Sequence, residues 1–421
     1  MVTPHRVVVS IVMALGMIGL TGCGVSAAPS SQGSPYVAVH STIPRFVMSP
    51  AFHPIYVTLS SPYSVWVVGY HHTRFVVLHT TNAGQTWQQI PLPKSPPSQP
   101  MAEASVATGM SGIPQLVMRS HGDGWIAWRD PHSSRIWIES TIDGGHYWHV
   151  SSIPVPSEAT TVSQLDFINP RQGWMVLESS GAMEQSLKWI YRTINGGTTW
   201  YQISPNPLTH SQFNPGISQH VTFPTATAGW WLLANPIQSG IFLYHSTNSG
   251  LHWHRVTLPS LPQFAHASTL KVFGPTFSAR QPQKGTFAIV YDTLRNKTTP
   301  QLSLVVYRTR NDGVSWYPVP GTPSLPTTYA PYGCNFLNGS TVDVFTNNTW
   351  YQMRNGGTSW YTPEHTNLPA FLKSYPNFYA LASDTVNTSW LIVGSAPKVT
   401  APVRTLLLKT TDRGRTWTSV N

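Results

Sequence analysis

Seven times the chain repeats a short word in which Ser or Thr, then Asn or Asp, then Gly alternate with spacers, and Trp follows three residues after the Gly. The copies are Thr80/Asn82/Gly84/Trp87, Thr141/Asp143/Gly145/Trp148, Thr193/Asn195/Gly197/Trp200, Ser246/Asn248/Gly250/Trp253, Thr309/Asn311/Gly313/Trp316, Asn355/Gly357/Trp360 and Thr410/Asp412/Gly414/Trp417. Successive Trp residues stand 61, 52, 53, 63, 44 and 57 positions apart. A period of this length is one supersecondary unit that cannot bury its apolar face alone, so neighbouring copies must stack.

Short runs rich in Val, Ile and aromatics precede each word, as at Ile241 to Tyr244 and Leu406 to Leu408, and they read as strands. Further upstream a small residue precedes Trp or Phe and another apolar run: Trp66 to Val68, Gly124 to Ala127, Gly173 to Val176, Gly229 to Leu232, Phe287 to Val290 and Trp390 to Val393. One more strand lies before most of these, for example Val221 to Phe223. Each repeat therefore holds four short strands, A to D, with the word as the C-to-D turn. Its chemistry suits that place, because Asn and Asp bond nearby backbone, Gly supplies positive φ, and Ser or Thr adds a local hydrogen bond. The Trp that begins strand D can then pack between sheets.

Seven four-stranded antiparallel sheets set radially make an all-β, seven-bladed β-propeller. Outside the N-terminus no long window has helical periodicity, which removes α/β alternatives. Tyr36 to Val39 is a possible extra strand for closing the ring.

The words resemble the Asp-box, or BNR, repeat, whose pattern is Ser/Thr-x-Asp-x-Gly-x-Thr-Trp, and the resemblance covers nearly all of residues 50 to 421. The added Gly-Trp-apolar strand makes the chain most similar to the photosystem II assembly and stability factor family. That resemblance implies a propeller acting as an assembly scaffold for a membrane complex. Asn replaces Asp in five boxes, and the sixth has Met353 where Ser or Thr is expected. Such changes read as drift in turn chemistry, since the family's boxes are structural.

At the N-terminus, His5 and Arg6 precede an apolar stretch from Val7 to Leu20, followed by Leu20-Thr21-Gly22-Cys23. This has the form of a secretory signal. Its end resembles a bacterial lipobox, in which the Cys is acylated and becomes the new N-terminus. We therefore expect a lipoprotein signal at 1–22, a lipid on Cys23, a flexible tether and lead-in over 23–49, and the propeller over 50–421. An uncleaved anchor, or cleavage near Val25-Ser26-Ala27, is the alternative. The expected location is the extracytoplasmic face of the cell membrane. Cys334 is then left without a disulfide partner and reads as a small buried hydrophobe.

Only 10% of residues are charged, yet the net charge is +10. The cations are scattered, so cell-envelope polymers, anionic lipid or a protein are more fitting partners than nucleic acid. The low acid content suits an acidic exterior.

If the words are C-to-D turns, the long Pro-rich D-to-A and B-to-C connections share the opposite face. Loops on a rigid scaffold carry most binding sites, which directs attention there. The B-to-C loops hold His71, His72, Arg74, Arg129, Arg135, Arg295, Lys297, Lys398 and Arg404. From these, Arg74, Arg129, Arg135, Arg295 and Arg404 are the expected partner-binding set; the alternative is that each is a solvated loop charge. A sialidase-like glycosidase or glycan-binding propeller is the competing function. Glycoside cleavage needs two facing carboxylates or a Tyr nucleophile with an acid partner. Of 15 acidic residues, Asp143 and Asp412 belong to boxes, and Asp130, Glu184 and Asp292 are the acids left on B-to-C loops. Ile43-Pro44-Arg45 holds the residues of a sialidase motif in another order. No catalytic residue, cofactor or metal site is expected: His71-His72 and His252/His254 lack further ligands around them.

Overall fold

The computed structural model describes residues 36–38, 43–96, 113–119, 122–181, 185–210, 213, 216–235, 240–278, 281–293, 302–320, 333–337, 341–346, 349–354, 359–361, 377–383, 387–395 and 404–420. Two short strands come first, β1 (Tyr36–Ala38) and β2 (Arg45–Phe46). Blade 1 is β3 (Phe52–Leu59), β4 (Val65–His71), β5 (Arg74–Thr80) and β6 (Trp87–Ile90). Blade 2 is β7 (Gln115–Met118), β8 (Gly124–Arg129), β9 (Arg135–Thr141) and β10 (Tyr147–Pro154). Blade 3 is β11 (Thr161–Phe167), β12 (Gly173–Glu178), β13 (Lys188–Thr193) and β14 (Tyr201–Gln202). Blade 4 is β15 (Ile217–Thr222), β16 (Gly229–Asn235), β17 (Gly240–Ser246) and β18 (His254–Val256). Blade 5 is β19 (Ser268–Ser278), β20 (Gln281–Asp292), β21 (Leu302–Thr309) and β22 (Tyr317–Pro318). Blade 6 is β23 (Gly333–Phe336), β24 (Val342–Thr346), β25 (Thr349–Arg354) and β26 (Ser359–Tyr361). Blade 7 is β27 (Asn377–Ser383), β28 (Ser389–Gly394), β29 (Thr405–Thr410) and β30 (Thr418–Ser419).

Every sheet is an antiparallel meander, so the fold is the seven-bladed propeller expected from the repeat. The second strands are the most deeply buried, with β12, β16 and β28 covered along their whole length. A strand flanked by blades on both sides reads as a continuous apolar run, which is why these segments lack alternation. Among the described residues no helix is long and apolar enough to cross a membrane.

The N-terminal strands depart from expectation. β1 does not close the ring: it adds a fifth strand to the outer edge of blade 2, with Val37 opposite Trp148. β2 does the same for blade 1, with Phe46 opposite Trp87. Both satisfy the open backbone edge of a fourth strand. The first and last blades are joined by side chains, with Phe52, Val57 and Val67 packed against Trp390, Ile392 and Leu407 in one core cluster.

Six of the words form one turn. Thr80 Oγ1 donates to Asn82 Oδ1 at 2.8 Å and accepts the Gly84 N–H at 2.9 Å, while Asn82 Oδ1 accepts the Thr86 N–H at 2.9 Å. The same three bonds join Thr141, Asp143 and Gly145 in blade 2, and Thr193, Asn195 and Gly197 in blade 3. They join Ser246, Asn248 and Gly250 in blade 4, Thr309, Asn311 and Gly313 in blade 5, and Thr410, Asp412 and Gly414 in blade 7. Only Oδ1 is needed as acceptor, so Asn serves as well as Asp. The amide that Asp lacks adds a fourth bond, from Asn82 Nδ2 to Thr86 Oγ1 at 2.8 Å and from Asn195 Nδ2 to Thr199 Oγ1 at 2.9 Å. Asn355 and Gly357 of the sixth word lie outside the described residues, whereas Trp360 sits in β26.

Three of the word tryptophans lock back onto their own turns, while the indole N–H groups of Trp87, Trp316, Trp360 and Trp417 are buried without a hydrogen-bond partner among the described residues. Trp148, Trp200 and Trp253 donate their indole N–H to the carbonyls of Gly145, Gly197 and Gly250 at 3.1, 3.1 and 2.9 Å. Their place in the ladder corrects the sequence reading. Trp87 does begin its strand, but Trp200, Trp253, Trp316 and Trp417 each stand one residue before theirs, and Trp148 is second in β10. An indole bent back to the turn belongs to the turn more than to the strand.

The two sequence signals meet across blade boundaries. Trp125 of β8 donates its indole N–H to the Gly196 carbonyl of the next blade's turn at 2.8 Å, and Trp174 of β12 donates likewise to Ser249 at 2.9 Å. Phe167 of blade 3 stacks on Trp125 with centroids 3.8 Å apart, and Phe223 of blade 4 stacks on Trp174 at 3.7 Å. Gly173 and Gly229 make room for these Phe rings, since a Cβ would lie 2.5 Å from Phe167 and 2.4 Å from Phe223, whereas one on Gly124 would meet Met118 at 2.3 Å. Turn glycine Gly313 is equally constrained: its φ is +74° and a Cβ would meet Trp230 at 2.0 Å.

Phe287 does not hold the place of these Trp residues in blade 5, as the sequence suggested. Gly285 pairs with Thr309 and Thr286 with Arg308, so Thr286 occupies it. Phe287 instead faces Trp316, with ring centroids 4.7 Å apart.

Replacing Trp125 by Ala removes both the stack and the hydrogen bond and is expected to cost about 3–5 kcal/mol, as large aromatic truncations in cores do. The thermal unfolding midpoint should fall by many degrees, while Ile142→Ser on the adjacent exposed turn leaves it nearly unchanged. Equal midpoints for the two variants would show that the joint does not hold the blades together.

Candidate functional site on the loop face

The β4–β5 connection is a two-residue turn, His72-Thr73, in which His72 has φ of +55°. It brings His71 opposite Arg74 in the ladder. His53 at the start of the innermost strand lies behind, and its pKa is lowered by burial and by the positive fields of Arg404, His72 and His71. His71 is lowered in the same way, by burial and His72. Arg404, from the β28–β29 connection of blade 7, is exposed and held by Ser395, whose Oγ accepts its backbone N–H at 2.9 Å. A cationic corner thus forms where the first and last blades meet.

Beside it opens a groove of about 710 Å³ lined by His71, His72, Arg74, Gln89, Leu92 and Pro96. Its far wall is the Pro-rich connection that follows β6. A second groove on the same face, about 640 Å³, lies between blades 4 and 5 and is lined by Arg255, Leu258, Phe264, His266, Tyr291 and Tyr307. Phe264 stacks on Tyr291 with centroids 4.7 Å apart, giving this groove an aromatic floor.

The five expected partner-binding arginines divide. Arg74 and Arg404 join the cationic corner. Arg129 is spent on backbone: Nε donates to the Ala159 carbonyl at 2.9 Å, and Nη1 to Asp130 and Ser133 carbonyls. Arg135 binds the Ser152 hydroxyl, with Nε at 3.0 Å. Arg295 lies outside the described residues, as do Lys297, Lys398, Glu184 and Cys23. His53 was missed because it sits on a strand, not a loop; its position just before Pro54 at the start of strand A was the available signal.

Among the described residues the loop acids expected from the sequence, Asp130 and Asp292, do not come together. Asp130 caps its own turn, accepting from His132 N–H at 2.9 Å, Ser133 Oγ at 2.7 Å and Trp137 Nε1 at 3.2 Å, and these bonds lower its pKa. Asp292 stands in blade 5, three blades away. Among the described residues no group of three His, Cys, Asp or Glu is placed to hold a metal. Cys334 lies on the innermost strand of blade 6, and burial together with Asp343 pushes its thiol pKa well up.

Several carboxyls are instead buried within the walls. Glu139 is pushed up to about 8 by desolvation, although Oε1 accepts the Lys94 N–H at 2.6 Å. Asp343 is pushed up to about 7 by burial, opposed by a 2.8 Å bond from Gln352 Nε2. Asp166 reaches about 6 for the same reason, with its Oδ2 accepting the Phe223 N–H at 2.8 Å.

Comparison with known proteins gives a fold and no family. No protein-family model and no curated protein sequence matches the chain. Similar solved structures include YCF48 bound to D1 peptide, with TM-score 0.52 and 14% identity over 88% of this chain and 99% of that one. YCF48 from Cyanidioschyzon merolae gives 0.53 and 15%, over 87% and 98% of the two chains. The polysaccharide lyase Uly1 is as similar in shape, at 0.53 and 8% identity over 87% and 91%. One scaffold is therefore shared by a peptide-binding protein and a glycan-cleaving enzyme.

An acid whose folded pKa is raised favours folding below its unfolded value and loses that advantage as pH rises through the folded one. For Asp343 the loss runs from 3.8 to about 7. His79, His220 and His245, each lowered to about 4 by burial, act oppositely, and their contribution is lost as pH falls below 6.5. The Asp343→Asn variant isolates the acid. Its unfolding midpoint should gain on the parent's as pH goes from 4 to 8; a gap independent of pH would refute the buried, protonated carboxyl.

Proposed function

We propose that the protein is an exported lipoprotein, acylated at Cys23 on the extracytoplasmic face of the membrane, whose propeller is a non-catalytic scaffold for binding a protein partner. In this reading the repeats are Asp-boxes and the chain is related to the photosystem II assembly and stability factors. The observation that carries the reading is the cationic corner of His71, His72, Arg74 and Arg404 beside an open groove on the loop face. Such a concave site on a rigid ring, with cations unopposed by nearby described carboxylates, suits an extended acidic or carboxylate-ending segment. The peptide-bound YCF48 structure supports the choice of partner class, being a propeller of the same shape.

A second reading keeps the alternative of a glycan-binding or glycan-cleaving propeller. It is favoured by the shape shared with Uly1 and by the aromatic floor of the second groove.

The tests separate anchor, partner and chemistry. Cys23→Ala should move the chain from the membrane fraction to the soluble one. Arrays of peptides from extracytoplasmic segments of the host's membrane proteins should be captured, and Arg74→Ala with Arg404→Ala should weaken capture at least tenfold. Capture that survives that pair unchanged would remove the cationic corner from the reading. Shortening of an acidic polysaccharide by the purified chain would establish the enzyme in its place.

A further inference from the structure

The turn face carries a pattern that the hydrogen bonds of the word do not explain. The turn uses its Ser or Thr, its Asn or Asp, its Gly and its Trp; the second and sixth positions are spacers. In four consecutive blades one spacer is a bare aliphatic side chain in water: Ile142 at 60% exposure, Ile194 at 50%, Leu251 at 47% and Val314 at 80%. Tyr147 and Tyr201, just past two of these turns, are 52% and 57% exposed, and Tyr63 on the β3–β4 turn of blade 1 is 67% exposed. The spacers of blades 1 and 7 are Thr81, Gln85, Thr411 and Arg415. A turn gains nothing in folding from an exposed Ile, Leu or Val, and a single one would need no explanation. Four on the word turns of adjacent blades, at the second position in blades 2 and 3 and at the sixth in blades 4 and 5, accompanied by tyrosines, form a pattern.

We propose that the turn face of blades 2 to 5 is a membrane-contacting surface that seats its aliphatic tips in the headgroup region of a bilayer. The spacing selects this occupant. The tips stand on separate blades with polar turn residues between them, so they do not make the continuous apolar centre of a protein interface. A lipid interface accepts isolated aliphatic and Tyr side chains that enter side by side, with cations among them. Arg171 and Arg310 lie on turns of blades 3 and 5, and Lys284 near the start of β20, suited to anionic headgroups. Among the described residues Asp123, Asp143 and Asp312 are the acids on the turns of these blades, and Asp143 already accepts turn hydrogen bonds. The thirteen-residue step from Cys23 to Tyr36 also limits an acylated chain to about 45 Å of reach, so the propeller stays near the bilayer. The loop face, with the cationic corner, is then left open to solution.

The proposal shares with the proposed function only the location at a membrane, and the experiment keeps the two apart. The acylated full chain is placed on phosphatidylcholine/phosphatidylglycerol vesicles, with acylation verified by mass spectrometry. An environment-sensitive fluorophore is attached in Ile194→Cys or Val314→Cys on the turn face, or in Leu208→Cys on the loop face, with the unsubstituted chain as the blank for Cys334. The expected result is a blue shift and at least threefold protection from an aqueous quencher at 194 and 314, and neither at 208. Equal behaviour at all three positions, or no shift at 194 and 314, overturns the proposal. A shift that grows with protein concentration in the absence of vesicles also overturns it, in favour of contact between copies. Absence of acylation with the shift intact would sink the anchor and leave the face.

Discussion

The stack of a strand-B tryptophan against the next blade is the contact on which the ring depends. A four-stranded blade is too thin to have a core of its own, so its stability is borrowed from its neighbours. The joint supplies three things at once: area, through Trp125 on Phe167 and Trp174 on Phe223; direction, through indole N–H bonds to the turns of Gly196 and Ser249; and position, through glycines that leave no space unfilled. Both sequence signals are halves of this one joint. Each was visible alone, but only their meeting across blade boundaries explains why the Gly-Trp pair and the word occur in the same repeat.

The fold was legible because the joint is written in residues with few substitutes. Trp, Gly and the Asn or Asp acceptor can be counted without any knowledge of contacts. What could not be read depended on register or on long-range proximity. Phe287 passed for a joint residue because a one-residue offset is invisible without the ladder that sets Thr286 opposite Arg308. Tyr36 to Ala38 was recognisable as a strand, yet its partner, the outer edge of blade 2, is more than a hundred residues away. At the candidate site, the face was legible from alternation of strands and the arginines from their loops. Which of them are free was not: Arg129 and Arg74 look alike in sequence, but only Arg129 is locked to backbone carbonyls.

The two faces obey different constraints. On the turn face, backbone and side chains are bound into hydrogen-bonded turns, so only the spacers are open to variation. On the loop face several D-to-A connections are long and Pro-rich while the β4–β5 connection is a two-residue turn, and the charges there need not satisfy the fold. At the seam of blades 7 and 1, His53 lies among Arg404, His72 and His71, and burial with their positive fields lowers its pKa, as burial and His72 lower that of His71.

The seams around blade 6 show how the joint can be lost and replaced. Thr286 removes the tryptophan that blade 5 would offer to the sixth turn, and that turn is the one whose opening Ser or Thr has become Met353. Both halves of one joint have thus changed together, and aliphatic packing among Ala288, Val290, Leu304, Val342, Val344 and Met353 takes over. In blade 6 the equivalent place falls to Asp343, since Val342 pairs with Met353 and Asp343 with Gln352. The seventh turn nevertheless keeps its full hydrogen bonding, because Trp350 from the third strand supplies the ring. It lies against Trp417 with centroids 5.6 Å apart, and a Cβ on Gly414 would come within 3.0 Å of it. An indole delivered from the adjacent strand leaves the second strand free to carry a buried acid, which a place filled by tryptophan would have excluded.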